Sequence, residues 1–171
     1  LKHPAAQARR VVCWALPASE PIRIASRAGT SMPDRAWAYA RTQADKVLAR
    51  MEQGLVGHLE GEGFPSATVT SIPENGMEPR PGAGWSSRWS LRHIGFVAGL
   101  GTFGLSGGLL TRRGIAHRLA AVVTARELPV TPRVYGEDHF AWCLRTAHGS
   151  CGVCIKRCPV GSIGQTMADR N

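Results

Sequence analysis

Apolar residues along the first sixty positions follow two different periods. Residues 10–17, RVVCWALP, form a β-branched and apolar run closed by proline, which predicts a buried strand. Ser31 can cap a helix that has Pro33 and Asp34 in its first turn. From there to about Glu60, apolar residues recur every three or four positions, at Trp37, Ala40, Ala44, Val47, Leu48, Met51, Leu55 and Leu59. This spacing predicts one long helix whose apolar stripe packs against a core.

The remaining pattern predicts shorter elements and irregular connections. These are a Gly-, Pro- and Ser-rich connection over 17–32, a second strand over 67–72 (ATVTSI), a surface loop over 73–85, a second helix that begins at Ser86 or Ser87, and a hairpin over 109–124 around the turn RRG. Helices and strands without strict βαβ alternation favour an α+β domain or a three-layer α/β/α domain. We place this core in residues 1–140 and treat residues 141–171 as an appended segment.

The composition limits the possible functions. The chain has 171 residues and carries 21 Lys and Arg against 12 Asp and Glu, a net charge of +9, which favours polyanionic partners such as nucleic acid. Its arginines are scattered, so we interpret them as a solvated basic surface. The sequence lacks a run of about 20 apolar residues, so we expect no membrane span. No signal peptide is visible, and because the sequence begins at Leu1 we expect a piece of a longer chain.

Residues 98–111, here called the glycine loop, contain the pattern G-x-G-x-x-G at Gly99, Gly101 and Gly104. In dinucleotide sites a strand precedes these glycines, a helix follows, and a carboxylate comes about 20 residues later. Here a predicted helix precedes them, β-like residues follow, and residues 112–126 contain no carboxylate. We therefore predict a tight turn between helix and strand. So many glycines would also let the backbone lie flat against a large planar ligand.

Three cysteines near the end of the chain form the motif Cys-x2-Cys-x3-Cys-Pro. They are Cys151, Cys154 and Cys158, and bacterial ferredoxins hold [4Fe-4S] clusters with a similar motif that has one more cysteine in front. His148 stands where that cysteine would be, and Cys143 lies a few residues earlier. We favour Cys143 over His148 as the displaced ligand because cubane clusters prefer thiolates.

Structural zinc, a disulfide and a thioredoxin-like redox pair are the alternatives to a cluster. Structural zinc favours two separated cysteine pairs, and only one such pair occurs here. Disulfides suit an oxidising compartment and a small domain without a broad core. A redox pair formed by Cys151 and Cys154 would leave Cys143 and Cys158 unexplained. The spacing therefore favours the cluster.

Two further features accompany the cluster hypothesis. Arg145, Lys156 and Arg157 lie beside the thiolates in sequence and would help to offset the negative charge of a cluster. Cys13 lies far from the other cysteines, within the first predicted strand. We interpret Cys13 as a small core residue.

Together, the glycine loop and the cysteine motif resemble the family of cobalamin-dependent iron–sulfur reductases that contains epoxyqueuosine reductase and the reductive dehalogenases. AGLGTFGLSGGLLT is similar to that family's AGLGWIGKNTLLI. GIAHRLAAVVTARELP and CGVCIKRCPVGSI are similar to the strand and the cysteine motif that follow it. The similarity covers about residues 86–165, and the earlier part agrees in outline only.

The resemblance implies a nitroreductase-like core in which cobalamin lies against the glycine loop, followed by a ferredoxin-like segment with [4Fe-4S] clusters. The residues expected to contact cobalamin are Gly99, Gly101, Thr102, Phe103, Gly104 and Ser106. In this family the last cysteine of the first motif belongs to a second cluster. Cys143, Cys151 and Cys154 would then hold one cluster and Cys158 the other, and further cysteines are expected beyond Asn171.

The resemblance also implies a function. The expected protein is an oxidoreductase that cleaves a carbon–oxygen or carbon–halogen bond reductively, with electrons from a low-potential donor protein and with a tRNA or a small molecule as substrate. The expected compartment is the reducing cytoplasm, where thiols stay unpaired. The competing hypothesis is a ferredoxin-like electron-transfer protein or subunit without a catalytic site of its own.

Three residues depart from the family's pattern. Trp85 stands where epoxyqueuosine reductases have a proton-donating aspartate, Leu105 replaces a lysine of the glycine loop, and Ala120 replaces a glycine of the following strand. Side chains able to supply a proton or to orient a substrate are Tyr135, His117 and Arg88. Each of these residue types is more often structural, so we assign no catalytic residue.

Overall fold

The computed structural model describes residues 3–29, 32–80 and 84–165. Its helices are α1 (Glu20–Ala28), α2 (Arg35–Gly61), α3 (Leu91–Val97), α4 (Leu144–His148) and α5 (Val153–Lys156). Its strands are β1 (Arg10–Pro17), β2 (Ser66–Thr68), β3 (Met77–Arg80), β4 (Gly84–Ser87), β5 (Gly101–Phe103), β6 (Leu109–Thr111) and β7 (His117–Thr124). Short 3-10 helices occupy Pro4–Gln7, Val69–Ser71 and Pro73–Asn75.

A three-stranded antiparallel sheet with the order β1–β7–β2 contains the longest strands. Strand β7 pairs with β1 over its whole length, from Arg10 opposite Thr124 to Pro17 opposite His117. It pairs with β2 over three residues only. From Ala120 to Thr124, no residue of β7 is more than 3% exposed, and these mostly apolar or β-branched residues suit a strand with neighbours on both edges. The core is therefore built around β7.

Helix α2 packs against β7 and β2. Its buried residues are Leu48, Glu52 and Leu59, which lie on one face of the helix. A carboxylate oxygen of Asp34 caps the first turn by accepting the backbone N–H of Ala36 at 2.8 Å and that of Trp37 at 3.3 Å. The predicted long helix to about Glu60 is confirmed, but it begins after Pro33 and Asp34, with Asp34 as its cap. Val47 and Met51 of the predicted apolar stripe are 43% and 47% exposed. The predicted cap, Ser31, lies outside the described residues.

A buried carboxylate on α2 completes the edge of β7 where β2 ends. The pairing of β2 with β7 stops at Thr68 opposite Val122, and the chain then leaves the sheet. Beyond that point, a carboxylate oxygen of Glu52 accepts the backbone N–H of Ala121 at 3.2 Å. Glu52 is 7% exposed, and burial, partly opposed by this hydrogen bond, raises the pKa of its carboxyl. The acceptor stabilises the sheet, while its charge is costly in this position.

Two regions predicted to be irregular contain regular structure. Within the predicted connection over 17–32 lies α1, which has Pro21 in its first turn and Arg27 in its last turn. The predicted loop over 73–85 contains most of an antiparallel hairpin, β3–β4, in which Pro79 lies opposite Trp85. Proline is compatible with the first turn of a helix and with an edge strand. The proline content of these segments therefore did not prevent regular structure.

The predicted second strand and second helix begin or end elsewhere. The strand predicted over 67–72 ends at Thr68, because the next residues form a 3-10 turn in which the Thr68 hydroxyl accepts the Ser71 N–H at 3.2 Å. Ser86 and Ser87 do not start a helix and belong to β4. Helix α3 begins at Leu91.

The hairpin predicted over 109–124 does not form. Strand β6 pairs with β5 instead, and β7 pairs with β1 and β2. A Cβ atom on Gly101 would lie 1.9 Å from the carbonyl oxygen of Leu110, so only glycine permits this close approach of β5 and β6. The longer and more apolar β7 pairs within the three-stranded sheet instead.

The chain is thus a mixture of helices and small antiparallel sheets. The three-layer, nitroreductase-like arrangement and the boundary between residues 1–140 and 141–171 stay predictions. Among the described residues, no helix combines the length and the apolar character that crossing a bilayer requires.

Replacing Glu52 with alanine should lower the free energy of unfolding by about 1–3 kcal/mol, because the buried Ala121 N–H loses its acceptor. Glu52→Gln keeps an acceptor and removes the buried charge, so it should be better tolerated. Denaturant unfolding of both variants measures the difference, and equal destabilisation by alanine and glutamine would contradict the assigned role.

The pH dependence of stability provides a second measurement on Glu52. The folded-state pKa of this carboxyl is raised above its ordinary value of 4.5, so its contribution to wild-type stability is fully present below that value. This contribution is lost as pH rises through the folded-state pKa. The Glu52→Gln variant has no carboxyl group that titrates at this position. Its stability relative to the wild-type protein should therefore increase over that rise in pH.

Candidate functional site

Cys143 lies against the turn between β5 and β6. It immediately precedes α4 and is 7% exposed. Its sulfur accepts hydrogen bonds from the backbone N–H of Leu105 and from the hydroxyl of Thr146, both at 3.4 Å. Leu105 belongs to the glycine loop, so the first predicted cluster ligand directly contacts the predicted cofactor loop.

These hydrogen bonds determine the ionisation of Cys143. Burial opposes formation of the thiolate, but the hydroxyl and backbone N–H of Thr146 and the backbone N–H groups of Leu105 and Arg145 favour it. Their combined effect outweighs burial and lowers the pKa of the Cys143 thiol below its ordinary value. The thiolate is the form that binds metal.

The segment before Cys143 runs along the glycine loop and covers part of it. The backbone N–H of Phe103 donates to the carbonyl oxygen of His139 at 2.6 Å. The backbone N–H of Trp142 donates to the hydroxyl oxygen of Thr102 at 3.1 Å. These two contacts and the Cys143 sulfur bind neighbouring positions of the loop, so the loop and the start of the cysteine segment pack as one unit.

The glycine pattern has local explanations in the backbone. Gly99 follows the end of α3 with a φ of 82°, a conformation that favours glycine. Gly101 allows the close pairing of β5 and β6 described above. The predicted turn between helix and strand is therefore confirmed. Because α3 precedes the glycines and β5 follows them, the order of elements is the reverse of a dinucleotide site.

The six residues predicted to contact cobalamin differ in accessibility. Gly101, Thr102, Phe103 and Gly104 are buried, whereas Gly99 and Ser106 are partly exposed. The space next to Gly101 is filled by the chain's own backbone. In this conformation the four buried positions do not present a surface on which a flat corrin could lie, and Gly99 and Ser106 are the two of the six that are open to a ligand. Contact at these six residues stays a prediction.

The other three predicted ligands follow α4. Gly149 ends this helix with a φ of 68° and turns the chain. Cys151 precedes α5, Cys154 lies within it, and Cys158 follows it. The Cys158 sulfur lies 3.3 Å from the hydroxyl oxygen of Ser162. This contact, followed by backbone N–H groups, lowers the pKa of the Cys158 thiol to about 7.

Arg157 ties the cysteine segment to α1. Its guanidinium donates hydrogen bonds to the backbone carbonyl oxygens of Ser26, Arg27 and Gly29. These carbonyl groups lie at the C-terminal end of α1, where a positive charge is favourable. Arg157 was predicted to offset the charge of a cluster. In the structure its guanidinium is hydrogen-bonded to carbonyl groups at the end of α1.

Arg145 and Lys156 lie closer to a cysteine. Both line a cavity of about 270 Å³ together with Cys151. Arg145 donates to the carbonyl oxygen of Gly149 at 3.2 Å and to the side-chain oxygen of Gln165 at 2.7 Å. This side chain thereby bridges the two ends of the cysteine segment and places positive charge beside Cys151.

The donor chemistry fits an iron–sulfur cluster, although the donors are not gathered around one point. All four thiols are unpaired, and the pKa values of Cys143 and Cys158 are lowered. Within residues 3–29, 32–80 and 84–165, no group of three or more His, Cys, Asp or Glu side chains is arranged to hold a metal ion. A bound cluster would therefore have to draw its ligands together. The choice of Cys143 over His148 stays a prediction.

Cys13 lies apart from this segment, in β1. It packs against the core cluster that contains Ala121 and Val123. Burial, with a smaller effect from the charge of Glu52, raises the pKa of the Cys13 thiol to about 12. These properties agree with its predicted role as a core residue.

A larger cavity was not indicated by any sequence pattern. It has a volume of about 540 Å³ and lies between the β3–β4 hairpin, α3, the end of the glycine loop and the start of β7. Its polar residues come from elements distant in sequence and include Ser86, Arg92, His93 and His117. The resemblance drew attention only to the neighbouring Trp85, which stands where epoxyqueuosine reductases have a proton-donating aspartate.

All three side chains considered as proton sources have structural partners. The Tyr135 hydroxyl donates to the carbonyl oxygen of Phe96 at 2.6 Å. Arg88 forms an ion pair with Glu78 at 3.1 Å. The Nδ1 atom of His117 lies 3.2 Å from the carbonyl oxygen of Gly114. His117 also lines the larger cavity, and burial is the main cause of its lowered pKa.

Comparison of the chain with models of protein families, with curated proteins and with solved structures found no match. The resemblance described above therefore rests on the quoted motifs alone. The function has to be argued from the residues of the site.

Cys158 should be alkylated first among the cysteines of the metal-free protein. With a pKa of about 7, it is about half thiolate at neutral pH, whereas Cys13, with a pKa of about 12, stays protonated and packed. Peptide mapping by mass spectrometry after short treatment with iodoacetamide at a series of pH values measures this order.

Serine variants provide the matched control for the alkylation experiment. Ser162→Ala removes the hydroxyl beside Cys158 and should move the midpoint of its reaction to higher pH. Ser150→Ala should leave it unchanged, because the Ser150 hydroxyl donates to the carbonyl oxygen of Leu144 at 3.4 Å. The same midpoint in both variants would refute the explanation given for Cys158.

Proposed function

We propose that the chain is the core and first cluster-binding segment of an oxidoreductase that uses [4Fe-4S] clusters and cobalamin. The proposed reaction is the reductive cleavage of a carbon–oxygen or carbon–halogen bond. The main support is the hydrogen bond from the Leu105 N–H to the Cys143 sulfur. It joins the glycine loop to the cysteine segment, which are the two motifs of the resemblance. A cluster ligand in contact with this loop suits electron transfer to a cofactor bound nearby.

Cys143, Cys151 and Cys154 are the proposed ligands of the first cluster, and Cys158 is the proposed ligand of a second. A bound [4Fe-4S] cluster supplies one-electron transfer, and hydrogen bonds to its sulfurs help to set the reduction potential. The Leu105 N–H already donates to one of these sulfurs. The positive charge of Arg145 beside Cys151 would stabilise a negatively charged cluster.

Cobalamin is proposed from the resemblance of the glycine loop. When bound, it supplies a low-valent cobalt centre for reduction. Gly99 and Ser106 are partly exposed, and the 540 Å³ cavity borders the loop at Gly108 and Leu109. No residue is assigned as proton donor, although His117 lines this cavity.

The proposal also includes partners and a compartment. Electrons would come from a low-potential donor protein, and the substrate would be a tRNA or a small molecule. The net charge of +9 suits a polyanion. Five unpaired cysteines suit a reducing compartment such as the cytoplasm.

Burial of the glycine loop favours a second candidate function. Gly101, Thr102, Phe103 and Gly104 pack within the chain, which is the behaviour of a structural turn. A chain in which these glycines serve only the fold would still carry the cysteine segment. It would then act as a ferredoxin-like electron-transfer protein or subunit and would not bind a corrinoid.

Anaerobic reconstitution with iron and sulfide should give about four iron atoms per cluster and a broad cluster absorption. Cys143→Ser should lower the iron content, because it removes the ligand nearest to the glycine loop. Cys13→Ser is the matched control and should keep the wild-type iron content, because Cys13 packs in the core. Iron analysis and absorption spectra of the three proteins are the measurements.

Three outcomes separate the candidates. Retention of added cobalamin together with the cluster supports the oxidoreductase. A cluster without retained cobalamin supports the electron-transfer protein. Wild-type protein without iron, or a Cys143→Ser variant with a full complement, would contradict the proposed ligand set.

A further inference from the structure

The 540 Å³ cavity, called the α3 cavity below, has the size of a ligand site. Pockets for small molecules commonly have volumes of roughly 300–1,000 Å³. Its walls are the β3–β4 hairpin, α3, the glycine loop at Gly108 and Leu109, and the first residues of β7. The wall residues come from four separate parts of the chain, so the cavity depends on the tertiary fold.

The charged side chains that line the α3 cavity are all basic. Among the described residues of its wall there is no Asp or Glu. The positive charge of Arg118 is compensated, because its guanidinium donates hydrogen bonds to the two Asp45 carboxylate oxygens at 2.7 Å and 3.2 Å. Within the described ranges Arg92 forms no ion pair, and one of its N–H groups donates to the carbonyl oxygen of Gly107 at 2.5 Å. The cavity therefore has one uncompensated and positioned guanidinium.

The pKa values of the two histidines in the wall are lowered, mainly by burial. Burial is the main cause that lowers the pKa of His93, and the charges of Arg92 and His139 lower it further. Burial also lowers the pKa of His117, with a smaller effect of Arg118 in the same direction. Both imidazoles are therefore neutral at pH 7 and add hydrogen-bonding groups without adding charge.

A hydroxyl group in the wall lacks a partner. The Ser86 oxygen is buried and forms no hydrogen bond to any other described residue. Buried polar atoms are nearly always hydrogen-bonded, and an exception calls for an explanation such as an absent ligand. Ser86 lines the α3 cavity, and rotation of its side chain would bring this hydroxyl to a polar atom of a bound molecule.

Much of the rest of the wall is apolar, although Thr70, Asn75, Ser87 and Ser90 also line it. Trp89, Leu109 and Leu119 line the α3 cavity. Met77 and Ile115, which also line it, are 60% and 47% exposed. Large apolar side chains around a concave site are typical of surfaces that bind the apolar part of a ligand.

We propose that the α3 cavity binds a small organic anion. The ligand has a ring-sized apolar body that packs against Trp89 and its neighbours, and one carboxylate or phosphate group that pairs with the Arg92 guanidinium. The Ser86 hydroxyl bonds a further polar atom of the same molecule. This proposal does not rest on the proposed function, because none of these residues is a predicted ligand of a cluster or one of the six residues predicted to contact cobalamin.

Isothermal titration of the full chain with benzoate, phenyl phosphate and benzyl alcohol tests the proposal. The two anions should bind at least about tenfold more tightly than the neutral alcohol, as expected for a charge-assisted hydrogen bond, and the tighter of the two identifies the preferred anionic group. Arg92→Gln should remove the preference, and Arg92→Lys should keep part of it. Arg113→Gln is the matched control, since Arg113 is exposed and lies outside the cavity wall.

Specific results would overturn the proposal. Equal binding of benzoate and benzyl alcohol, an equal loss in Arg92→Gln and Arg113→Gln, or no saturable binding of any probe would each do so. If circular dichroism shows that Arg92→Gln does not fold, the Arg92→Lys variant and a salt series on the wild-type protein decide the question. Salt should weaken the binding of the two anions and leave the binding of benzyl alcohol unchanged. The titrations contain neither iron nor cobalamin, so a negative result here is distinct from a failure of cluster binding.

Discussion

The backbone N–H and C=O groups of strand β7 need hydrogen-bond partners on both edges, because the C-terminal half of the strand is removed from water. The other elements of the core supply these partners. On one edge β1 pairs along all eight residues. On the other edge β2 pairs for three residues and leaves, so α2 supplies the Glu52 carboxylate as the next acceptor. A buried backbone amide without a partner costs about as much free energy as a lost hydrogen bond. The core therefore tolerates the Glu52 carboxyl as an acceptor.

The glycine loop and the cysteine segment form a second unit that depends on backbone contacts. Phe103, Thr102 and Leu105 of the loop form hydrogen bonds with His139, Trp142 and Cys143, respectively. Arg157 anchors the far side of the cysteine segment to α1. The cysteines are thus attached to the core at both ends of the segment, while Cys151 and Cys154 lie between these anchors. This arrangement would give the proposed cluster ligand Cys143 a fixed position relative to the glycine loop.

The two candidate sites differ in their physical basis. The cysteine segment is defined by thiols with lowered pKa values and by the positive charge beside them. The α3 cavity is defined by one guanidinium without an ion-pair partner, one unpartnered hydroxyl and a wall of mixed polar and apolar residues. They meet at the glycine loop, whose turn holds Cys143 and whose last residues line the cavity. A molecule in the cavity and an electron carrier at the cysteines would therefore lie on two sides of the same loop.

The sequence by itself determined the features whose signals are local. The strand β1, the long helix α2 and the helix-to-strand turn at Gly99 are each specified by neighbouring residues, and so is the cysteine spacing. The predicted burial of β1 is wrong, because β1 lies at the edge of its sheet and is half-buried. Only the tertiary structure decided that β6 pairs with β5, that Glu52 completes the edge of β7, and that Ser86 and Arg92 line one cavity. These features join residues that are distant along the chain, and a local pattern of apolar and polar positions does not specify which distant partner a strand or side chain will have.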